Sequence, residues 1–362
     1  MPTKVPFAGS VVVTDPAQHK SERYRELDAI RGLAACAVVL FHYTVRYFEL
    51  FPGPAPLVSA RFGSFGVEVF FGISGFVILM TLERTRTAKA FLVSRLSRLY
   101  PAYWVCVAIT FAVTQLYPLG TRSVTATQAL VNLTMWQEVL HTPHVDGVYW
   151  SLQIELIFYV LMLLVLLAGW LRNARSVLMG WLIFSIVCQG VSHGVGRPVP
   201  YFLERYLLLA HCGYFVIGAA AYLDFRLRRV SPMTWVSFAL ALISVGLWSG
   251  VGGLVVTAGM VVLFALLVQR RAAFLDNRIL VFLGTISYPL YLLHQNIGYV
   301  LIELLRARGV GVGTAIMIAI VAALILGAGV TFFVERPALR WIRNRLLPAA
   351  DTPSPTPIAS RP

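Results

Sequence analysis

Apolar residues run along this chain in blocks of about twenty, parted by short stretches that carry the charges, prolines and glycines. A bilayer core of ~30 Å takes ~20 residues of α-helix to cross. The blocks therefore predict ten spans, at about 28–48, 64–82, 100–117, 148–169, 176–192, 206–223, 232–249, 251–268, 279–303 and 312–334. Spans seven and eight are separated only by Gly250, with Gly252 and Gly253 just beyond, so the alternation is least marked there. An even number puts both termini on one side. The expected fold class is an all-α polytopic membrane protein of about ten transmembrane helices. It comprises a cytoplasmic segment over 1–26, a membrane domain over 27–345, and a disordered cytoplasmic tail over 346–362 rich in Pro, Ser, Thr and Ala.

Composition agrees with the pattern. Of 362 residues, 58% are apolar and 13% charged, against ~45–50% and ~25% in soluble domains, which excludes an ordinary soluble protein. The net charge of +14 could mark a nucleic-acid binder, but the basic residues lie in short runs between apolar blocks, so no nucleic acid is expected. If the N-terminus is cytoplasmic, inner segments hold 22 Lys and Arg and outer loops hold 7. That asymmetry places both termini inside. Cys36, Cys106, Cys188 and Cys212 show no C-x-x-C spacing, so neither a disulfide framework nor a zinc site is expected. The first 26 residues are polar and basic, unlike a signal peptide.

Ionisable groups within spans are costly and mark candidate sites. Arg31 and His42 lie 11 residues apart in the first span, which on a helix is ~16 Å along the axis on nearly one face. The bland alternative is a lipid-facing Arg31 and a His42 satisfied by a neighbouring helix. Glu155, about seven residues below the outer end of span four, is expected at the depth of His42, where it could orient the imidazole; Ser151 lies one turn earlier. Span nine sets Ser287, Tyr291 and His294 on one face, with Pro289 expected to kink it. In span two, Ser74 and Gly75 suit close helix packing or a narrow cavity wall. The inner loop after span two carries Arg84, Arg86, Lys89, Arg95 and Arg98, a cluster suited to phosphates that could equally set topology. The outer loop 118–147, with Asn132, Trp136, His141, His144 and Asp146, is large enough for a partial lid.

These residues fall into an ordered set: Arg31 with His42 as R-x10-H, then "FGVEVFFGISGFVI" (63–78), "RLSRLYPAYW" (95–104), "WSLQIELIFY" (150–159) and "SYPLYLLH" (287–294). Over about Glu26 to Trp341 the chain resembles the acyltransferase family 3 integral-membrane proteins, which transfer acetyl or other acyl groups to hydroxyls of bacterial glycans and some natural products. The resemblance implies a multi-pass protein of the bacterial inner membrane, with acyl-CoA (acetyl-CoA) as donor substrate and no permanently bound cofactor. It implies His42 and Arg31 in the catalytic region, with Arg95 and Arg98 on the donor side. Glu155 joins the catalytic set, and Ser74, Tyr291, His294 and Trp150 the substrate-binding one. Some relatives carry an extra soluble periplasmic domain at the C-terminus, which is not expected here.

The mechanism expected from this set has donor phosphates held by Arg95, Arg98 and Arg31, His42 acting as general base oriented by Glu155, and Tyr291 or His294 facing the thioester oxyanion. A covalent acyl-enzyme on His42 is the other route. The expected acceptor is a glycan or lipid-linked sugar. The alternatives are a natural-product acyltransferase and, from another class, a lipid-linked sugar transporter, although no inverted repeat joins the two halves. With no metal-ligand spacing present, full acyl transfer is expected in chelator-treated membranes, measured against untreated ones.

Overall fold

Leucine, valine, alanine and phenylalanine with few internal breakers favour helix, and in a hydrocarbon environment helices satisfy their own backbone polar groups. The computed structural model describes residues 24–53, 58–85 and 87–347, and all regular structure among them is helical. Arg86, the segment up to residue 23 and the expected tail from 348 lie outside these residues.

Nine helical segments carry the described fold: α1 (Arg25–Leu50), α2 (Arg61–Thr85), α3 (Ala88–Leu116), α4 (Gly147–Leu167), α5 (Trp170–Val195), α6 (Cys212–Phe225), α7 (Pro232–Val268), α8 (Arg278–Ala307) and α9 (Val312–Leu346). Seven of them, all except α6 and α8, are long and apolar enough to cross a membrane. The 14 residues of α6 are apolar but short, and the 30 of α8 carry buried polar groups. At 37 residues α7 is too long for one crossing. Its helix breaks at Gly250, whose φ of 63° and ψ of −156° belong to a region open essentially to glycine. The break falls where spans seven and eight were expected to part.

Two boundaries differ from expectation. Rather than starting near residue 100, α3 starts at Ala88, capped by the Thr87 hydroxyl accepting from the Ala90 N–H. Arg95 and Arg98 therefore sit on the span's own helix, which accommodates Pro101 without ending. At the other end, α9 passes through a π-helical turn, Thr331–Glu335, into the amphipathic stretch Arg336–Leu346, which continues as helix packed along α3.

Helices α1 and α8 form one tight pair, α2 and α6 another, with α9 against α8 and α7 against α6. Large apolar side chains face outward on α5, α7 and α9, among them Val187, Val255, Val262, Met317 and Ile325. Such a surface fits hydrocarbon rather than water. The tight pairs depend on small residues. A Cβ on Gly75 would lie 1.9 Å from the Phe215 carbonyl oxygen, whereas one on Gly259 in α7 would meet nothing within 4 Å. Gly75→Ala is therefore expected to lower the melting temperature in detergent, by an overpacking cost of ~1–3 kcal/mol. Gly259→Ala should leave it unchanged or raise it slightly; equal effects would contradict the packing.

Candidate active site

The site grows from the crossing of α1 and α8. Regular helix runs from Arg25 to Phe41, and at His42 it widens into a π-helical turn ending at Arg46. Side chains compete for carbonyls there: the His42 Nδ1 lies 2.9 Å from the Val38 oxygen, and the Thr44 hydroxyl donates to the Leu40 oxygen at 2.7 Å. On α8, His294 is fully buried, its Nδ1 2.8 Å from the Tyr291 carbonyl and its own carbonyl accepting from the Tyr43 hydroxyl at 2.6 Å. Its Nε2 lies 3.1 Å from the Nδ1 of His42.

This geometry fixes the tautomers by elimination. A carbonyl only accepts, so His294 carries its proton on Nδ1 and, as a neutral ring, offers a lone pair at Nε2. His42 must then carry its proton on Nδ1, shared between the Val38 oxygen and His294. The Nε2 of His42 is left with an unshared pair, and His42 lines a cavity of about 380 Å³ together with Arg46, Glu49, Arg122, Trp150, Tyr291 and Gln295. That volume falls within the range of ligand pockets.

A second cavity lies toward the other end of the bundle. It is lined by Arg31, Arg95 and Arg98 with Ser74, Glu155, Tyr159 and Ser287, and its volume is about 80 Å³. A pantetheine-sized ligand would need its helices to part. Val67 and Tyr291 border both cavities. Tyr291 is a fixed wall: its hydroxyl is 2.7 Å from the Ser151 hydroxyl and 3.0 Å from the Val148 carbonyl.

The sequence-expected residues thus divide. Arg31, Ser74, Arg95, Arg98 and Glu155 line the smaller cavity, His42 and Trp150 the larger, Tyr291 both, and His294 backs His42. Glu155 is not at the depth of His42: it accepts from the Ser74 hydroxyl at 2.6 Å and the Tyr159 hydroxyl at 2.5 Å. Counting from span ends misplaced it because α4 begins inside the bundle. Asp146, just before α4, is fully buried and accepts the Asn296 N–H of α8 at 3.0 Å. The layer of His42 and His294 therefore matches Asp146 to Ser151, and Glu155 lies a helical turn deeper, ~6 Å. The side chain that meets the His42 ring is His294, and Glu155 meets Ser74 and Tyr159 instead. Nor does Tyr291 or His294 present a free proton to an oxyanion, since each is already donating within the wall. Arg98, which also lines the smaller cavity, is paired with the buried Glu335 of α9.

Sequence reasoning missed Arg122, Tyr159, Glu335 and Arg343 as parts of these cavities and their margins. Arg122 donates to the Asn296 side chain at 3.2 Å and lines the larger cavity. It belongs to the outer loop, which is folded: Thr125 and Gln128 form a capping box on a short helix, Ala126–Asn132, and the buried Asn132 side chain binds the Gln128 and Pro143 carbonyls and the Val145 N–H. Burial pushes the Asp146 carboxyl up to about 7, against the lowering effect of the Asn296 and Val148 N–H groups. Glu138 of the same loop bridges His144 and Arg205, tying it to the segment before α6. Among the described residues, no group of three or more His, Cys, Asp and Glu is arranged to hold a metal ion.

Comparison with known proteins follows the same lines. The chain is 27% identical over 308 residues to "Exopolysaccharide production protein ExoZ" of Rhizobium meliloti (strain 1021), covering 79% of this chain and 93% of that protein. It is 24% identical over 368 residues to "Putative peptidoglycan O-acetyltransferase YrhL" of Bacillus subtilis (strain 168), covering 88% of this chain and 56% of that one. "Nodulation protein 10" of Rhizobium leguminosarum bv. viciae matches at 28% over 200 residues, 48% of this chain and 51% of that protein. No solved structure matches. The family model described as "Acyltransferase domain" spans residues 24–334, both cavities included, and the chain therefore belongs to the acyltransferase 3 family of multi-pass membrane acyltransferases.

Proposed function

We propose that this acyltransferase moves an acyl group, acetyl in the first instance, from acyl-CoA to a hydroxyl of a cell-surface glycan or lipid-linked sugar at the bacterial inner membrane. The observation that carries the reading is the pair of cavities meeting at Val67 and Tyr291, one lined by arginines and the other by a histidine with a free ring nitrogen. An exopolysaccharide production protein and a peptidoglycan O-acetyltransferase among the relatives support a glycan acceptor. Ten spans with both termini cytoplasmic fit the break at Gly250, and place the arginine-lined cavity on the donor's side.

In this mechanism the donor's phosphates sit among the arginines and its thioester reaches the Val67–Tyr291 wall. The acceptor occupies the larger cavity with its hydroxyl at the Nε2 of His42. The imidazole takes the hydroxyl proton as the oxygen attacks the thioester carbonyl. The C–S bond then breaks, and the CoA thiolate recovers the proton from His42. Of the two arginines lining the larger cavity, Arg46 is paired with Glu49, which leaves Arg122 to face the developing oxyanion. His294 keeps the lone pair of His42 turned toward the acceptor and shares the positive charge that His42 gains. Its contribution is that of a positioning residue.

Transfer of labelled acetyl from acetyl-CoA in membranes expressing the chain tests the reading. His42→Ala at matched protein level is expected to lose ~10²–10⁴-fold in kcat, the scale of a general base, with donor binding retained. His294→Ala should lose less and shift the pH profile of kcat, because the positive charge that His42 gains is then no longer shared with a second imidazole. Label reaching a glycan equally well in wild type and His42→Ala would overturn the mechanism, and no donor turnover by the wild type with acetyl or longer acyl groups would overturn the function.

A further inference from the structure

The arginine-lined cavity sets three guanidinium groups against one carboxylate of its own lining, Glu155. Arg95 and Arg98 come from α3 and Arg31 from α1, and all three line the cavity. Arg98 is neutralised by Glu335. At the same margin a fourth guanidinium arrives from the amphipathic end of α9: the Arg343 Nη2 donates to the Ser94 hydroxyl at 3.3 Å and to the Ser94 carbonyl at 3.5 Å. The Nη2 of Arg95 donates to that same hydroxyl, also at 3.3 Å. One buried serine thus tethers two like charges side by side. The Nε of Arg95 and the Nε of Arg343 are both enclosed and have no hydrogen-bond partner. Neither residue forms an ion pair among the described residues.

Enclosed guanidinium N–H groups left without acceptors are costly, and two like charges held against one another more so. An anion with several oxygens, placed between them, would satisfy the orphaned N–H groups and remove the repulsion. We propose that Arg343 and Arg95 form a two-arginine clamp for a phosphate group of the donor, with Arg98 and Glu335 acting as the strut that docks α9 against α3. The clamp rests on the acyl-CoA reading and adds to it a binding residue in the last helix, outside the motifs of the first nine spans. The π-helical turn Thr331–Glu335 is what makes this reach feasible, since it sets Glu335 onto Arg98 and launches the helix that carries Arg343 eight residues later. An anionic lipid headgroup offers the same chemistry. The donor is favoured because Arg95 also lines the cavity that leads to the Tyr291 wall.

The test is binding of CoA and of pantetheine, which lacks the phosphates, to the full chain in phosphatidylcholine nanodiscs by calorimetry, for the wild type, Arg343→Ala and Arg343→Lys. The wild type is expected to prefer CoA. Arg343→Ala should weaken CoA ~10–100-fold, the range of a charge-assisted contact, and leave pantetheine unchanged. Arg343→Lys, retaining charge without the fork, should fall between. Unchanged CoA affinity in Arg343→Ala would overturn the clamp, as would equal loss of both ligands, which marks a structural role. A CoA preference insensitive to Arg343 but a wild-type melting temperature raised by phosphatidylglycerol only while Arg343 is present would assign the site to lipid. A wild type that binds neither ligand would instead remove the acyl-CoA reading itself.

Discussion

The close approach of α1 and α8 is the constraint on which the other features depend. A Cβ on Gly284 would lie 1.8 Å from the Asp28 carbonyl oxygen, and one on Gly298 would lie 2.0 Å from the Tyr43 hydroxyl. With both positions bare, the two backbones pack in contact over several turns. Only then can the ring of His42 reach that of His294, and the Tyr43 hydroxyl cap the His294 carbonyl. In lipid no hydrophobic force holds the helices together, so packing of this kind and interhelical hydrogen bonds carry the association.

Given that crossing, the interior solves a problem of charge. A neutral imidazole pair needs no counter-ion, and its one unshared lone pair is turned to the larger cavity. The arginines at the other end are treated unevenly, Arg98 matched by Glu335 while Arg95 and Arg343 share a serine. Two π-helical turns mark the two ends, one opening at His42 and the other closing at Glu335. Each inserts a register change that swings a functional side chain off the regular helical face. Between them, Tyr291 and Val67 divide the bundle, and Ser151 holds the tyrosine in place.

The outer loop shows how an apparently irregular segment is made part of the site. Asn132 satisfies its own side chain entirely with loop backbone, Asp146 anchors to α8, and Arg122 is delivered to the larger cavity from a loop that sequence position alone places far from His42. Its connection to Arg205 through Glu138 couples it to the approach to α6.

By itself, the sequence determined that the chain is a helical membrane protein, because twenty-residue apolar blocks have no other stable solution in lipid; it singled out Arg31 and His42 because charge within such blocks needs a reason, and Arg95 and Arg98 only as members of an inner-loop cluster. Spacing along one helix was enough to put Arg31 and His42 in different layers. Partners across helices were decided only by the tertiary structure. Glu155 was expected beside His42 because depth was counted from span ends, and α4 starts below the surface, pinned by Asp146 to α8. His294 became the neighbour of His42 because Gly32, Gly284 and Gly298 let α1 and α8 touch. The engagement of Arg98 by Glu335 and the arrival of Arg343 beside Arg95 depend on how far α9 continues past its apolar block and on the π turn that redirects it. Local patterning reports which residues are out of place in hydrocarbon; the backbone crossings determine which of them meet.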